Sequence, residues 1–222
     1  GWEGRVPGFA HMTLLVGADG AALSKRIGSL SISEMRDMGY EPMAITSHLA
    51  RIGTSDALEA AASLAALGAD FSFDKMGRSP ARYDEEDLKR LNAQVLHALD
   101  YAAAQPRLAA LGVDLGPEFW AAVRPNLQFF GDVKGLAAIV SGPIQPVIED
   151  AAFAEAALEV LPAVIDGDAW SAWTAAVKDR TGAKGKALFM PLRLALTGRM
   201  SGPELADLLP LLGREETLVR RP

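Results

Sequence analysis

The spacing of apolar residues along this chain is mostly helical. In "YDEEDLKRLNAQVLHALDY", Leu88, Leu91, Val95 and Leu99 recur at three- and four-residue intervals, so one side of the segment is apolar and predicts an amphipathic helix. Helices are predicted likewise where apolar runs sit between start and stop residues. "EMRDMG" follows a capping Ser33, "EPMAITSHLARIG" has Pro42 in its first turn and Gly53 at its stop, and "SDALEAAASLAALG" runs from a Ser-Asp cap to Gly68. Short helices are expected in "PEFWAAVR" and "DVKGLAAIV", broken by Pro125, Gly131 and Gly142. Beyond the loop "SGPIQPVIED" four more are bounded by Gly, Pro or Asp: "DAAFAEAALEVLPAVI", "DAWSAWTAAVKDRTG", "KGKALFMPLRLALTG" and "GPELADLLPLLG". Only "HMTLLV" reads as strand, and the turn chemistry of Ala18, Asp19 and Gly20 after it predicts a β-hairpin arm. The expected fold is mainly α, with a small mixed α/β region in front.

Composition narrows the class. Half of the 222 residues are apolar, enough for a sizeable core. There is no Cys, which removes disulfides, thiolate metal sites and Cys nucleophiles and suits a cytoplasmic protein. No apolar run approaches the roughly 20 residues of a membrane span. The start, "GWEGRVPGFAHM", carries neither a signal peptide nor an initiator Met, and reads as the interior of a longer protein. A net charge of -6 argues against a protein that simply coats nucleic acid. Charge is nevertheless segregated: "EDAAFAEAALE" is acidic, whereas "KDRTGAKGK", "PLRLALTGR" and "LVRRP" are basic.

The chemistry available is sparse. His11, His48 and His97 are far apart and form no metal-binding pattern, so no metal site is expected and each reads as a structural residue. Glu85 and Glu86 sit where negative charge favours a helix start. Neither a Walker A sequence nor G-x-S-x-G occurs, and "TGAKGK" reads as a basic connecting loop. One triplet is suited to more: Ser24, Lys25 and Arg26, between Gly20 and Gly28, bring a hydroxyl and two cations to a loop that can neutralise a polyphosphate. Trp120, Trp170 and Trp173 offer flat faces for stacking bases, though their helical setting favours the core.

The surroundings of that triplet carry a resemblance. "PGFAHMTLLVGADGAALSKRIGSLSI" resembles the signature-loop segment of bacterial glutamyl-tRNA synthetases, "P-x-F-A-H-x-P-L-x-x-G-x-D-G-x-K-L-S-K-R-x-G". Three further blocks resemble the same family in the same order: "GYEPMAITSHLARIG", "FSFDKMGRSPARYDEEDLKRLNAQ" and "PLRLALTGRMSGPELADLLPLLGRE". "KMGRS" mimics a class I signature, but it precedes Pro80, Tyr83 and Asp84 as the family's S-P-A-x-F-D segment does, so Ser24, Lys25 and Arg26 take the signature role.

The resemblance implies an enzyme that activates glutamate with ATP, accompanied by Mg2+, and transfers it to tRNA-Glu, with tRNA-Gln an open second acceptor. Lys25 would stabilise the ATP phosphates, with Ser24 and Arg26 supporting the loop. Ala22 stands where the family usually has a Lys, and no H-x-G-H motif occurs, so this chain by itself is expected neither to aminoacylate nor to hold ATP. The implied organisation is a stem-contact region (1–72) and two helical anticodon-binding subdomains (73–145 and 146–222), in a cytoplasmic monomer. Asn126 stands where some members use an Arg to inspect the last anticodon base, with Arg124 two residues earlier. Arg78, Arg82, Lys184, Lys186, Arg193 and Arg199 are the candidate phosphate contacts. Two other readings stay open: a paralogue charging another acceptor, and a helical interaction module that binds no RNA.

Overall fold

The computed structural model describes residue 4 and residues 8–17, 19–23 and 31–220. Its chain forms two compact units: Gly1–Ala98 with Gln128–Phe130, and Leu99–Leu127 with Gly131–Pro222.

The first unit opens with the predicted strand, shortened to β1 (Leu15–Val16). Across the following turn, Gly17 N–H donates to Ala21 O at 2.8 Å, Asp19 Oδ1 accepts from Ala21 N–H at 2.9 Å, and a single antiparallel bridge joins Val16 to Ala22. The ladder itself is parallel and long-range. β1 lies beside β2 (Ala81–Arg82), with Leu15 opposite Ala81 and Val16 opposite Arg82. Sequence alternation reports a strand but not its partner, so this pairing was not legible.

Helices α1 (Ile32–Met38), α2 (Pro42–Arg51) and α4 (Glu85–Ala98) supply this unit's core, with α3 (Leu64–Asp70) between the last two. Ser31, not Ser33, caps α1, in a reciprocal capping box with Glu34. Met35, Tyr40, Ala44, Leu88 and Leu91 are buried together, and Ile45, Leu58, Tyr83, Val95 and Phe129 pack around them. Thus the apolar stripe of α4 buries as its spacing predicts. Buried Asn92 interrupts that stripe usefully: its Oδ1 accepts from Glu41 N–H at 2.6 Å at the start of α2, and its Nδ2 donates to Gln128 O at 2.5 Å.

The helix expected from Ser55 to Gly68 is a correction: only its last part is helical, in α3, capped by Ser63. Before it, side chains of other helices take the backbone groups that a helix would have paired. Gln94 Oε1 accepts from Ala60 N–H and Ser47 Oγ from Ala61 N–H, both at 2.9 Å, while Arg51 Nη1 donates to Ala57 O at 2.9 Å. Gly53, at φ +77°, lies so close to Thr13 that a Cβ would meet its Cβ at 2.9 Å.

The second unit is helical: α5 (Tyr101–Ala110), α6 (Gly116–Val123), α7 (Val133–Ser141), α8 (Ala151–Glu159), α9 (Ala169–Thr181), α10 (Lys186–Thr197) and α11 (Leu205–Val219). All but α5 fall where the apolar pattern places them. Helix α5 is rich in Ala and contains Pro106, so it carries few large apolar residues to mark it. Phe119, Trp120, Trp173, Val177, Leu208 and Leu209 are fully buried in this unit's core. Helix α9 lies against α8, α10 and α11, and α11 also touches α6 and α7. Gly198 ends α10 at φ +66°, where a Cβ would stand 2.7 Å from Gln145 O. Among the described residues no helix is long and apolar enough to cross a membrane.

Candidate nucleic-acid interface

Helix α9 presents two Trp residues three positions apart, and they meet opposite fates. Trp173 is buried, its Nε1 donating to Ala157 O at 2.7 Å. Trp170 is only half-buried and stands edge-on to Trp173, with ring centroids 5.9 Å apart. From α10, Phe189 comes up beside it at 6.2 Å, the rings tilted by 36°, and stays 45% exposed. These aromatics form one wall of an open groove of about 300 Å³, completed by Arg193, Glu204 and Leu205. That volume is at the lower end for small-ligand sites, about 300–1,000 Å³.

The polar groups of the groove point at a ligand with both donors and acceptors. Arg193 is half-buried and bonded through Nη1 to Pro203 O at 3.1 Å, which orients its guanidinium on the groove wall. Glu204 is the N-cap residue of α11 but makes no side-chain cap bond, so its carboxylate is not absorbed by the helix start. The stem of Arg193 and the rings are apolar; the two charges lie among them.

Beside this groove the start of α10 is cationic. Lys184 and Lys186 are exposed on either side of Gly185, the N-cap residue, which offers no side chain to the first N–H groups of the helix. Positive charge is unfavourable at a helix N-terminus unless an anion joins it, so this end suits a phosphate. Arg199, past the end of α10, is exposed and donates through Nη2 to Gly135 O at 2.9 Å. A second cavity in the same unit, bordered by Phe153, Trp173, Thr217 and Arg220, has only about 20 Å³. It has room for no more than a water molecule.

The remaining predicted residues are scattered. Arg124 and Asn126 share a 3₁₀ turn, Arg124–Asn126, and divide its work. Arg124 Nη1 donates to Leu99 O at 3.1 Å, an acceptor it shares with Trp120 Nε1 at 3.0 Å, whereas Asn126 is exposed. In the first unit Arg78 and Arg82 are exposed, Arg82 on β2. Lys75, start of the misleading "KMGRS", is held by Asp56 at 3.0 Å and Asp70 at 3.3 Å; the bond from Asp56 leads in raising its pKa. Ser24, Lys25 and Arg26 lie outside the described residues. Among the described residues no group of His, Asp or Glu is arranged to hold a metal ion.

Sequence reasoning missed Phe189, Glu204 and Leu205 as groove residues, although "KALFM" and "GPEL" flank the arginine it had chosen. It missed Arg220 altogether. That guanidinium is buried and binds Leu196 O, Ile139 O at 2.6 Å and Glu216 at 2.9 Å, tying the ends of α7 and α10 to α11. Nothing in "LVRRP" marks which Arg turns inward.

Comparison with known proteins places these features in context. Residues 121–220 match the anticodon binding domain model, and residues 2–90 match that of the class I tRNA synthetase (E and Q) catalytic domain. The chain is 57% identical over 219 residues to Glutamate--tRNA ligase 1 of Maricaulis maris, covering 98% of this chain and 49% of that protein. It is 52% identical to Glutamate--tRNA ligase 1 of Parvibaculum lavamentivorans, covering 96% of this chain and 48% of that one. Glutamate--tRNA ligase 2 of Hyphomonas neptunium is also 52% identical, with 98% and 50% covered. The chain thus spans about half the length of the curated relatives it matches. The crystal structure of glutamate-tRNA synthetase from Elizabethkingia anophelis shares the fold at a TM-score of 0.74 and 23% identity, over 97% of this chain and 50% of that one.

Proposed function

Since the chain belongs to the glutamate–tRNA ligase family of class I tRNA synthetases, we propose that it is the tRNA-recognising part of an ATP-dependent ligase that joins glutamate to tRNA-Glu. The observation that carries this reading is the groove of Trp170, Phe189 and Arg193 inside the stretch matching an anticodon binding domain. Exposed aromatic faces beside a guanidinium are what splayed, unpaired bases stack on.

In this reading Trp170 and Phe189 stack on a base of the anticodon loop and Arg193 bonds to its edge or the adjoining phosphate. Lys184 and Lys186, with the uncapped start of α10, hold a backbone phosphate, and Arg199 adds a further positive charge. Arg124 positions its turn through Leu99 O, so that Asn126 faces the RNA. An Asn in that place lacks the charge and fork of an Arg, and tRNA-Gln becomes a second acceptor. Arg78 and Arg82 serve phosphates of the acceptor-stem side. By role, then, residues 1–72 contact the stem, and 73–145 and 146–222 contact the anticodon arm; this division follows RNA contacts rather than packing.

Ser24, Lys25 and Arg26 are assigned to the ATP phosphates. Lys25 stabilises the charge that develops as pyrophosphate leaves the activated glutamate, and Ser24 and Arg26 hold its loop. Mg2+ arrives with the ATP. The 222-residue chain on its own is inactive in aminoacylation, and the enzyme is a cytoplasmic monomer.

The test is a titration of the chain with tRNA-Glu, tRNA-Gln and an unrelated tRNA at low and physiological salt. Preference for the first two that survives the higher salt is expected. Equal binding of all three, lost as salt rises, would leave only diffuse charge attraction and end this reading.

A further inference from the structure

The carboxylate of Glu204 is out of place in a groove meant only for a phosphate. It faces the same space as Arg193, yet the two side chains make no ion pair: Arg193 bonds to Pro203 O, and Glu204 neither caps α11 nor pairs with a cation. An ionised carboxylate only accepts hydrogen bonds, and a guanidinium only donates them. Between aromatic walls, such an unpaired couple is complementary to a flat neutral group that offers an N–H next to a carbonyl. It is antagonistic to an anion.

We propose that Glu204 is a specificity-determining residue that makes this groove read the Watson–Crick edge of an unpaired base, with its carboxylate accepting a ring N–H while Arg193 donates to the neighbouring carbonyl. The inference rests on the reading of the groove as an RNA-base site. Uracil fits best. Its ring N–H is flanked by a carbonyl on each side, so either face of the base can lie against Trp170 and Phe189 while the donor–acceptor match is kept. Each match of this kind discriminates by about 1–3 kcal/mol in base readout, or roughly 5- to 150-fold. The same carboxylate keeps a phosphate out of the groove and leaves the backbone to the lysines at the start of α10.

The experiment measures binding of hexauridylate and of its N3-methyluridine counterpart, which lacks the ring N–H, to the 222-residue chain at physiological salt. The wild-type chain is expected to prefer hexauridylate at least about 10-fold, within the range of one such contact. Glu204→Ala should weaken hexauridylate and reduce the preference to less than about 2-fold, while Glu204→Gln, which keeps an acceptor oxygen, retains part of it. Circular dichroism of both variants checks that α11 is intact. Equal binding of the two oligomers by the wild type overturns the proposal, as does a Glu204→Ala variant that binds both more tightly by the same factor, since Glu204 then only repels phosphate. Trp170→Ala separates the two levels. If it weakens hexauridylate while Glu204→Ala leaves the preference intact, the base groove stands and the role of Glu204 falls; if Trp170→Ala and Arg193→Ala both leave hexauridylate unchanged, the groove reading falls and this inference with it.

Discussion

The two units solve the same problem, satisfying backbone and burying apolar surface, by different means. In the second unit the helices bury large side chains such as Phe119, Trp120, Trp173 and Leu208, and most backbone groups pair within their own helix. In the first unit polar side chains carry long irregular stretches. Thr13 Oγ1 donates to Gly77 O at 2.9 Å, Ser47 and Gln94 receive the 60–61 backbone, and Asn92 links α2 to residue 128. Apolar packing yields a rigid surface on which a groove can be shaped, whereas polar tethering fixes loops whose own sequence would leave them open. The groove accordingly sits on helices, while Ser24, Lys25 and Arg26 belong to a loop segment.

The largest effect that would break this contrast comes from Trp173→Ala. A buried Trp with its indole N–H paired should cost about 3–5 kcal/mol, seen as a lower midpoint in urea unfolding. Next is Asn92→Ala in the first unit, at about 2–4 kcal/mol, because two buried backbone groups lose their partners together. If Asn92→Ala were as mild as a surface change, polar tethering would not be what holds that unit.

A smaller effect depends on pH. His48 is buried against the edge of Tyr83, with a centroid distance of 5.4 Å, and its Nε2 has no hydrogen-bond partner. Burial lowers its pKa, and Asp87 and Asp84 only partly oppose that. The unfolded chain therefore binds the proton more readily than the folded one. This contribution is complete above the ordinary histidine value of about 6.5 and is lost as pH falls below it toward the depressed folded value. Unfolding midpoints measured from pH 8 to pH 5 should fall, and His48→Phe should flatten the decline.

How much of this was legible follows from the same contrast. Periodicity placed α4, α6 and α7–α11, because each repeats an apolar face that packing uses. It missed α5, where Ala and Pro106 replace large apolar residues, and made a helix of 55–63, where Ser47, Gln94 and Arg51 reach in from elsewhere. At the candidate site the charged residues were visible one at a time. The groove was not, because Trp170 and Trp173 share a helix and a spacing, and only the fold decides that Trp173 enters the core while Trp170 meets Phe189.

That pair gives the most direct test of tRNA recognition through the helical unit. Trp170→Ala should change the unfolding midpoint little, yet weaken tRNA-Glu binding at physiological salt by about 1–3 kcal/mol, the worth of one stacked base. Unchanged tRNA-Glu affinity in a variant that folds normally would contradict the account.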